Sequence, residues 1–587
     1  MDNVLVSVVI PSYNRPLFLR ERSIPSVLAQ DYPHWELLVI GDGPLDGSLR
    51  QAAESFGDPR IRYEEIPRPD YSGLTDLQHW HAAGAAARNR GLELCRGQVI
   101  APLDDDDEFL PNHLREAVRA LSAPDCDLVY GSVIVRSLET GKDYTDYFPW
   151  DDEPTRELFK DRNIMFHSSV CYTHRFAGLR YPTDGHDPAD YALWCSIVRA
   201  GGRIQSLQRP QSIYYGDRRT GTLRLSVPTV PPIDRVQQRF AAVLDSRQLS
   251  NDGQCCQEFE RAVAGFVGAP FAVSTPSGDL ALLLAFSEVR RRAGRRRKVL
   301  LPSYAHASAA NAVRWNGLEP VFCDLDADTL CLAPTAVESL LDDDVAAILA
   351  VDAHGNPSDK LGLEALAHAY GAMMVSDAAA AFGASVNGRR VGGFGDIEVF
   401  SFSGTKVLTT GEGGMLCCRD EELAASLRCT GRYGSRADYV CERLGINAKL
   451  AEIPAALGLE GLGHLDGWLA QRRRAVQRYR QQLDGIPGLR FQRPVTPGHN
   501  STWKDMALIT SGARAAQRIA GQLAAYRIDT RPYYRPLHRM PAFQRCQQGD
   551  LSTTERLADA VVCVPLYSDV RDDVVDLVAR AVREVLS

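Results

Sequence analysis

The 587-residue sequence has no C-x-x-C pair among its 14 cysteines, and the adjacent pairs Cys255-Cys256 and Cys417-Cys418 lack the spacing of a zinc site. The thiols are therefore expected to be buried side chains in a reducing cytoplasm. No apolar run approaches the roughly 18 to 20 residues that span a bilayer, which excludes an integral membrane protein. Also missing is the basic flank, apolar stretch and cleavage site of a signal peptide, because Met1-Asp2-Asn3 runs straight into VLVSVVI. Positive charge is in short supply: 66 basic against 74 acidic side chains leave a net charge of -8, with no global attraction for nucleic acid or an anionic membrane. No nucleic-acid-binding module is present either. Proline and glycine are too sparse for a disordered chain.

What remains is globular. With 45% hydrophobic and 24% charged residues, there is ample material for packed cores. At roughly 100 to 200 residues per domain, the length implies at least two units. The proline-rich VPTVPPI at Val227–Ile233 follows the polar RRTGTLRLS and marks a junction, giving domains 1–225 and 226–587. On both sides, Val- and Ile-rich runs such as VSVVI, ELLVI, KVLLP and EVFSF alternate with longer helix-like stretches, so both units read as α/β.

In the first unit, the strand-like ELLVI ends at Gly41-Asp42-Gly43, and QVIAPL runs into Asp104-Asp105-Asp106-Asp107. Ligands of open α/β sheets bind beyond the carboxyl ends of the strands, where Asp42 can accept hydrogen bonds from a nucleotide base. Four consecutive carboxylates repel one another unless solvated or neutralised, and hard oxygen donors suit Mg²⁺ or Mn²⁺, which would hold a diphosphate leaving group.

The ordered series VSVVIPSYNR, VIGDG, AARNRGLELCRG and IAPLDDDDEFLP resembles the family 2 glycosyltransferases of GT-A (Rossmann-like) fold. That resemblance implies a metal and nucleotide-sugar site at the D-x-D residues Asp104 and Asp106, nucleotide recognition by Asp42, and Arg88 and Asn89 near the donor sugar. It also implies a general base for the acceptor hydroxyl on HDPADYALWCSIVRAGG, at Asp190 with Asp187 as the competitor, and inversion at the anomeric carbon. The chain departs from the family pattern with Gly41-Asp42-Gly43-Pro44 and Ala189-Asp190. His79 and His81 have an H-x-H spacing but read as loop residues, and Arg218 and Arg219 follow QSIYY, within reach of a diphosphate or on a solvated loop.

In the second unit, MMVSD ends at Asp377 and EVFSFSGTK places Lys406 in a loop after another strand. A partly buried lysine loses its proton more readily and becomes a nucleophile toward an aldehyde, so Lys406 is a candidate to carry pyridoxal phosphate. Asp377 suits the cofactor's ring nitrogen. Ser277, Gly278 and Asp279 open a helix whose first N–H groups can surround its phosphate.

The matches LSNDGQCCQEFERAVAGFVG, SDAAAAFGA, FSFSGTK, GEGG and GINAKLAEIPAALG resemble the DegT-type sugar aminotransferases of fold type I, with a large and a small lobe. The resemblance implies that Lys406 is the cofactor lysine and that Ser401 bonds the phosphate. It places His306 against the cofactor ring and Asn447 at the partner subunit's site in a homodimer. Ala380 and Asp279 depart from the family pattern. The basic cluster RRRAGRRRK, Arg290 to Lys298, reads as a solvated helix end.

Together the resemblances imply a bifunctional cytoplasmic enzyme, at most peripheral at the inner membrane face. Its second unit would aminate a nucleotide-linked keto sugar with an amino acid donor such as glutamate, and its first would pass a sugar to a sugar or lipid-linked acceptor. The alternative is a glycosyltransferase carried by a non-catalytic, dimerising aminotransferase-like scaffold.

Overall fold

The computed structural model describes residues 3–43, 47–137, 141–146, 148–150, 153–161, 163–215, 222–436 and 440–586. Two compact units emerge: Met1–Leu223 with Ala525–Arg527, and Arg224–Ala524 with Ile528–Ser587. Arg218 and Arg219 lie outside the described residues.

The first unit is built on a nine-stranded sheet. Its spatial order begins Ile61–Ile66, Trp35–Asp42, Val6–Ser12, Val99–Pro102, and these four strands run parallel. Val170–Thr173 joins antiparallel and leads on to Leu128–Arg136, Ile204–Tyr215 and Glu108–Phe109. The central strand VSVVIPS is buried at every position because apolar layers cover both faces of the sheet, which is why it reads as one continuous run without alternation. Parallel register brings the ends of neighbouring strands to one edge: Ser12 sits opposite Gly41, with Asp42 next along the strand, and Leu103 donates its N–H to the Val9 carbonyl, carrying the four-aspartate run to the same edge.

The second unit has an eight-stranded sheet in the order Phe271–Thr275, Gly414–Cys418, Ile397–Ser401, Met373–Asp377, Val345–Val351, Lys298–Pro302, Glu319–Cys323, Gln547–Gln548. Gly414–Cys418 is antiparallel to both neighbours, so the flanking strands point the same way. Helices Gly278–Arg292 and Ala307–Trp315 pack their small and branched residues on this sheet. A smaller lobe holds the antiparallel strands Leu489–Phe491, Met506–Thr510 and Val561–Val564 with helices Leu465–Leu483 and Asp572–Leu586. This is the α/β architecture expected for each unit, large and small lobes included.

Beneath the sheet, Lys360 Nζ stands 2.8 Å from Asp352 Oδ2 and 3.0 Å from Glu398 Oε1, all three side chains fully buried. The second oxygens are also satisfied: Asp352 Oδ1 accepts from the Ser358 N–H and hydroxyl, and Glu398 Oε2 from the N–H groups of Gly392 and Phe394. Ten of the fourteen cysteines are buried and none is in a disulfide. No helix among the described residues is long and apolar enough to cross a membrane.

Candidate active sites

In the second unit, the carboxyl ends of four parallel strands converge. Thr275 and Ser401 both pair with Gly414, which places the helix start at Ser277 and Gly278 beside Ser401. The fit is close: a Cβ on Gly278 would come within 2.7 Å of the Ser401 Cβ and 3.1 Å of its hydroxyl. The Ser277 hydroxyl caps the helix by accepting from Leu280 N at 3.2 Å, while Asp279 is exposed in the first turn. Backbone donors and a positive helix end then face a gap lined by hydroxyls, the arrangement that holds a phosphate.

Asp377 ends its strand with one carboxylate oxygen accepting from Ala379 N at 3.1 Å, and burial pushes its carboxyl up from the ordinary range. Such a group gains from a cationic partner. Lys406 follows Ser401 in a tight loop, its N–H donating to the Ser403 carbonyl at 3.0 Å. Burial first, then the nearby Lys504, push its amine down to about 8, against the pull of Asp377, Asp505 and Asp279. His306 caps helix Ala307–Trp315, its Nδ1 accepting from Ser308 N at 3.3 Å, with an exposed ring. A nucleophilic lysine, a buried carboxylate and a phosphate cradle at one strand edge are the donor set pyridoxal phosphate requires, so these residues fit the cofactor. Asn447 lies on the loop after helix Glu421–Gly431, accepting from Lys449 Nζ at 2.5 Å.

One cluster escaped the sequence reading. Lys504 Nζ donates to Asp505 Oδ1 at 2.7 Å, Asp505 Oδ2 stands 3.3 Å from His354 Nδ1, and His354 Nε2 stands 3.2 Å from the Tyr304 hydroxyl. Burial would raise the Asp505 carboxyl, but Lys504 and then His354 hold it well below the ordinary range.

The first unit gathers a second site at its own strand ends. Arg88 Nη2 donates to Asp104 Oδ1 at 2.9 Å, and His167 Nδ1 lies 3.0 Å from the same oxygen. Burial opposes the charge on Asp104, but His167 and then Arg88 hold it well below the ordinary range. Arg15 Nη1 bridges Asp105 at 2.9 Å and Asp106 at 3.0 Å, and the Ser12 hydroxyl donates to Asp105 at 2.7 Å. Burial and the neighbouring carboxylates nevertheless raise Asp105 to about 6, and burial with Asp106 and Asp104 raises Asp107 well above the ordinary range. Buried oxygens of Asp42 and Asp107 have no hydrogen-bond partner among the described residues. Arg527 Nη2 adds a second cation to Asp106, 3.4 Å from its Oδ2. Among the described residues no group of three or more His, Cys, Asp or Glu side chains is arranged to hold a metal ion, and Asp104 and Asp106, each paired with an arginine, would exchange those partners if a divalent cation bound with phosphate and water completing its shell.

Asp190 opens helix Ala189–Arg199 and accepts from Asn163 Nδ2 at 2.8 Å, half-buried and within electrostatic reach of Arg88, whereas Asp187 is exposed. Asn89 bonds the Tyr181 backbone in both directions at 2.8 Å, so its amide holds the Tyr181 loop. His79 and His81 lie on a short helix, Asp76–Ala82, made by a capping box between Thr75 and Gln78. There His81 Nδ1 meets the Gly185 carbonyl at 3.0 Å. In the basic cluster, Arg291 folds back onto Glu288 at 2.7 Å and Lys298 onto Asp342 at 2.6 Å.

The second unit is thus of the fold type I aminotransferase class, and the first a GT-A-like sheet with an acidic strand end. Residues 233–583 match the DegT/DnrJ/EryC1/StrS aminotransferase family, to which the chain belongs, and residues 7–184 match glycosyl transferase family 2, so the chain fuses the two. A GDP-perosamine synthase of Caulobacter vibrioides is 31% identical over 369 residues, covering 62% of this chain and 98% of that protein. The spore coat polysaccharide biosynthesis protein SpsC of Bacillus subtilis is 31% identical over 372 residues, covering 60% and 94%. Among solved structures, DesI with its TDP-sugar product is 32% identical with a TM-score of 0.58, covering 62% of this chain and 92% of that one.

Proposed function

We propose that residues 226–587 transaminate a nucleotide-linked keto sugar with pyridoxal phosphate and an amino acid donor, glutamate foremost, and that residues 1–225 transfer a sugar from a nucleotide donor to an acceptor hydroxyl with inversion. The observation that carries this reading is the meeting of Lys406, Asp377, Ser401 and Gly278 at one sheet edge, which a scaffold does not need. The names of the relatives, a GDP-perosamine synthase and a TDP-sugar complex, support a nucleotide-linked sugar as substrate.

Bound pyridoxal phosphate supplies an electron sink for moving an amine between carbon skeletons. The chain's part is to hold and orient it and to move protons. Ser277, Gly278, Asp279 and Ser401 would hold the phosphate end, Asp377 would favour positive charge at the ring nitrogen, and His306 would lie against the ring. Lys406, whose amine is pushed down to about 8, would hold the cofactor's aldehyde group and serve as the base that takes up and returns a proton at the reacting substrate carbon. Asn447 would complete the site of a second subunit in a homodimer.

In the first unit, Asp42 would receive the nucleotide and Asp104 and Asp106 a Mg²⁺ or Mn²⁺ ion that neutralises the departing diphosphate. Arg88 orients Asp104 and lies by the donor sugar, with Asn89 holding the wall behind it. Asp190, steered by Asn163, takes the proton of the attacking hydroxyl, and a single displacement gives inversion. The two steps would then belong to amino-sugar glycan synthesis. The test of the second unit is spectroscopic: the wild-type chain binds pyridoxal phosphate with a visible band that glutamate bleaches, and Lys406→Ala does not form that band.

A further inference from the structure

Residues Ala525–Arg527 belong to the first unit, although they lie far along the chain from the rest of it. Tyr526 is 1% exposed. Its hydroxyl accepts from the Leu17 N–H, 509 residues away, at 3.2 Å, and its ring meets the Phe18 ring edge-on with centroids 4.7 Å apart. The Leu223 N–H donates to the Arg527 carbonyl at 2.8 Å. These contacts seat the segment on the helical turn that follows strand Val6–Ser12, where the chain continues into one π-helical turn, Leu19–Ser23, a rare form frequent at functional sites.

Arg527 itself sits at φ 56, in the left-handed region where a side chain costs energy and glycine is the ordinary residue at a helix end. Its guanidinium reaches the four-aspartate run, with Nη2 3.4 Å from Asp106 Oδ2 and the Tyr214 phenol alongside. Backbone strain of this kind persists only where the surroundings hold it, and it concentrates at binding sites. Arg15, Arg22 and Arg527 all reach Asp106, and their commitments differ. Arg15 Nη1 bridges Asp105 and Asp106 at 2.9 and 3.0 Å, and the Arg22 guanidinium lies over the rings of Phe18 and Tyr215, 4.4 and 4.0 Å from their centroids. Arg527 meets Asp106 at a distance longer than the roughly 2.7–2.9 Å of a charge-assisted hydrogen bond, and its side chain is 35% exposed. Its planar fork of N–H donors is therefore open to further acceptors at the strand edge.

We propose, on the reading of this edge as a nucleotide-sugar site, that Arg527 is a binding residue for the donor: its guanidinium donates to the oxygens of the diphosphate. A diphosphate brought up to a run of carboxylates is repelled unless cations stand between them. Arginine suits that place because its fork matches phosphate oxygens with two parallel N–H bonds. Asp106 keeps the fork at the edge until the anion arrives, and Arg15 then remains to pair that carboxylate. The donor site of the first unit is thus completed by a residue outside the 7–184 span that matches the glycosyltransferase family.

The experiment titrates the full-length chain with UDP, GDP and dTDP by calorimetry in the presence of magnesium, and with Mn²⁺ alone by electron paramagnetic resonance. It compares wild type, Arg527→Gln and Arg527→Lys, with the melting temperature of each. The expected result is a diphosphate affinity lowered about tenfold or more in the Gln variant and less in the Lys variant, which keeps the charge without the fork. Mn²⁺ affinity should be unchanged or tighter in the Gln variant, because Asp106 has lost a competing cation. Unchanged diphosphate affinity in the Gln variant overturns the proposal. So does an equal loss of Mn²⁺ affinity, or unfolding of both variants, either of which would make Arg527 a support of the aspartate loop. Wild type that binds none of the three diphosphates overturns the nucleotide-sugar reading itself, and the proposal with it.

Discussion

Gly278 and Ser401 meet so closely that any side chain on the glycine would strike the serine: an added Cβ falls 2.7 Å from the Ser401 Cβ. The contact joins the start of helix Gly278–Arg292 to the end of strand Ile397–Ser401, so the space for a phosphate depends on the absence of one methyl group. Gly278→Ala is expected to displace Ser401 at a cost of about 1–3 kcal/mol. Measured by equilibrium titration, pyridoxal phosphate affinity should fall by about tenfold or more, corresponding to at least about 1.4 kcal/mol, and the melting temperature of the cofactor-free chain should fall by a few degrees.

The pH dependence of cofactor capture follows from Lys406. Its amine, pushed down to about 8 by burial and Lys504, is protonated below that pH and neutral above it. Only the neutral form attacks an aldehyde. The rate at which pyridoxal phosphate becomes reducible onto Lys406 by borohydride should therefore rise through about pH 8 and level off above it. A rise centred near the ordinary lysine range, above pH 10, would contradict this environment.

Lys360 stabilises the sheet by neutralising two buried carboxylates. Lys360→Met leaves Asp352 and Glu398 facing each other without a cation, and breaking a buried ion pair in this way costs about 3–5 kcal/mol. Urea denaturation of the second unit's transition should show that loss, whereas Lys298→Met, which removes a pair with the exposed Asp342, should leave the transition nearly unchanged.

Glycosyl transfer is expected to fail selectively. Asp190→Asn removes the base and should lower nucleoside diphosphate release, assayed with a panel of nucleotide sugars and sugar acceptors, by about 10²–10⁴-fold. Asn163→Ala, which only frees Asp190, should lower it less. Lys406→Ala should leave this reaction intact, since the two sets of residues perform separate chemistries.

How much of this was legible in the sequence depended on distance along the chain. Asp377, Lys406 and Asp104 each follow an apolar run by a few residues, so strand ends marked them as site candidates, whereas Ser401 was singled out by the family resemblance. The pairing of His354 with Asp505 spans 151 residues, and that of Asp104 with Ser168 spans 64, and no local pattern signals either. Lys504 carries no sequence signal because its burial is set by Arg472, Tyr533 and the 353–355 turn, which only the fold assembles. The H-x-H stretch read as loop because the short capped helix beginning at Thr75 carries too few turns to show a helical period. Asn89, matched to the donor sugar by its motif, also bonds the Tyr181 backbone 92 residues away, which no local pattern signals.

The account's central claim is that the second unit is a working aminotransferase, and an absorption spectrum tests it most directly. Purified wild type and Lys406→Ala are mixed with pyridoxal phosphate and scanned before and after addition of glutamate. The account predicts a visible band in wild type alone, bleached by glutamate with release of one equivalent of 2-oxoglutarate per site. A chain that forms no such band, or whose band ignores every amino acid supplied, would contradict it and leave the second unit as a scaffold for the glycosyltransferase.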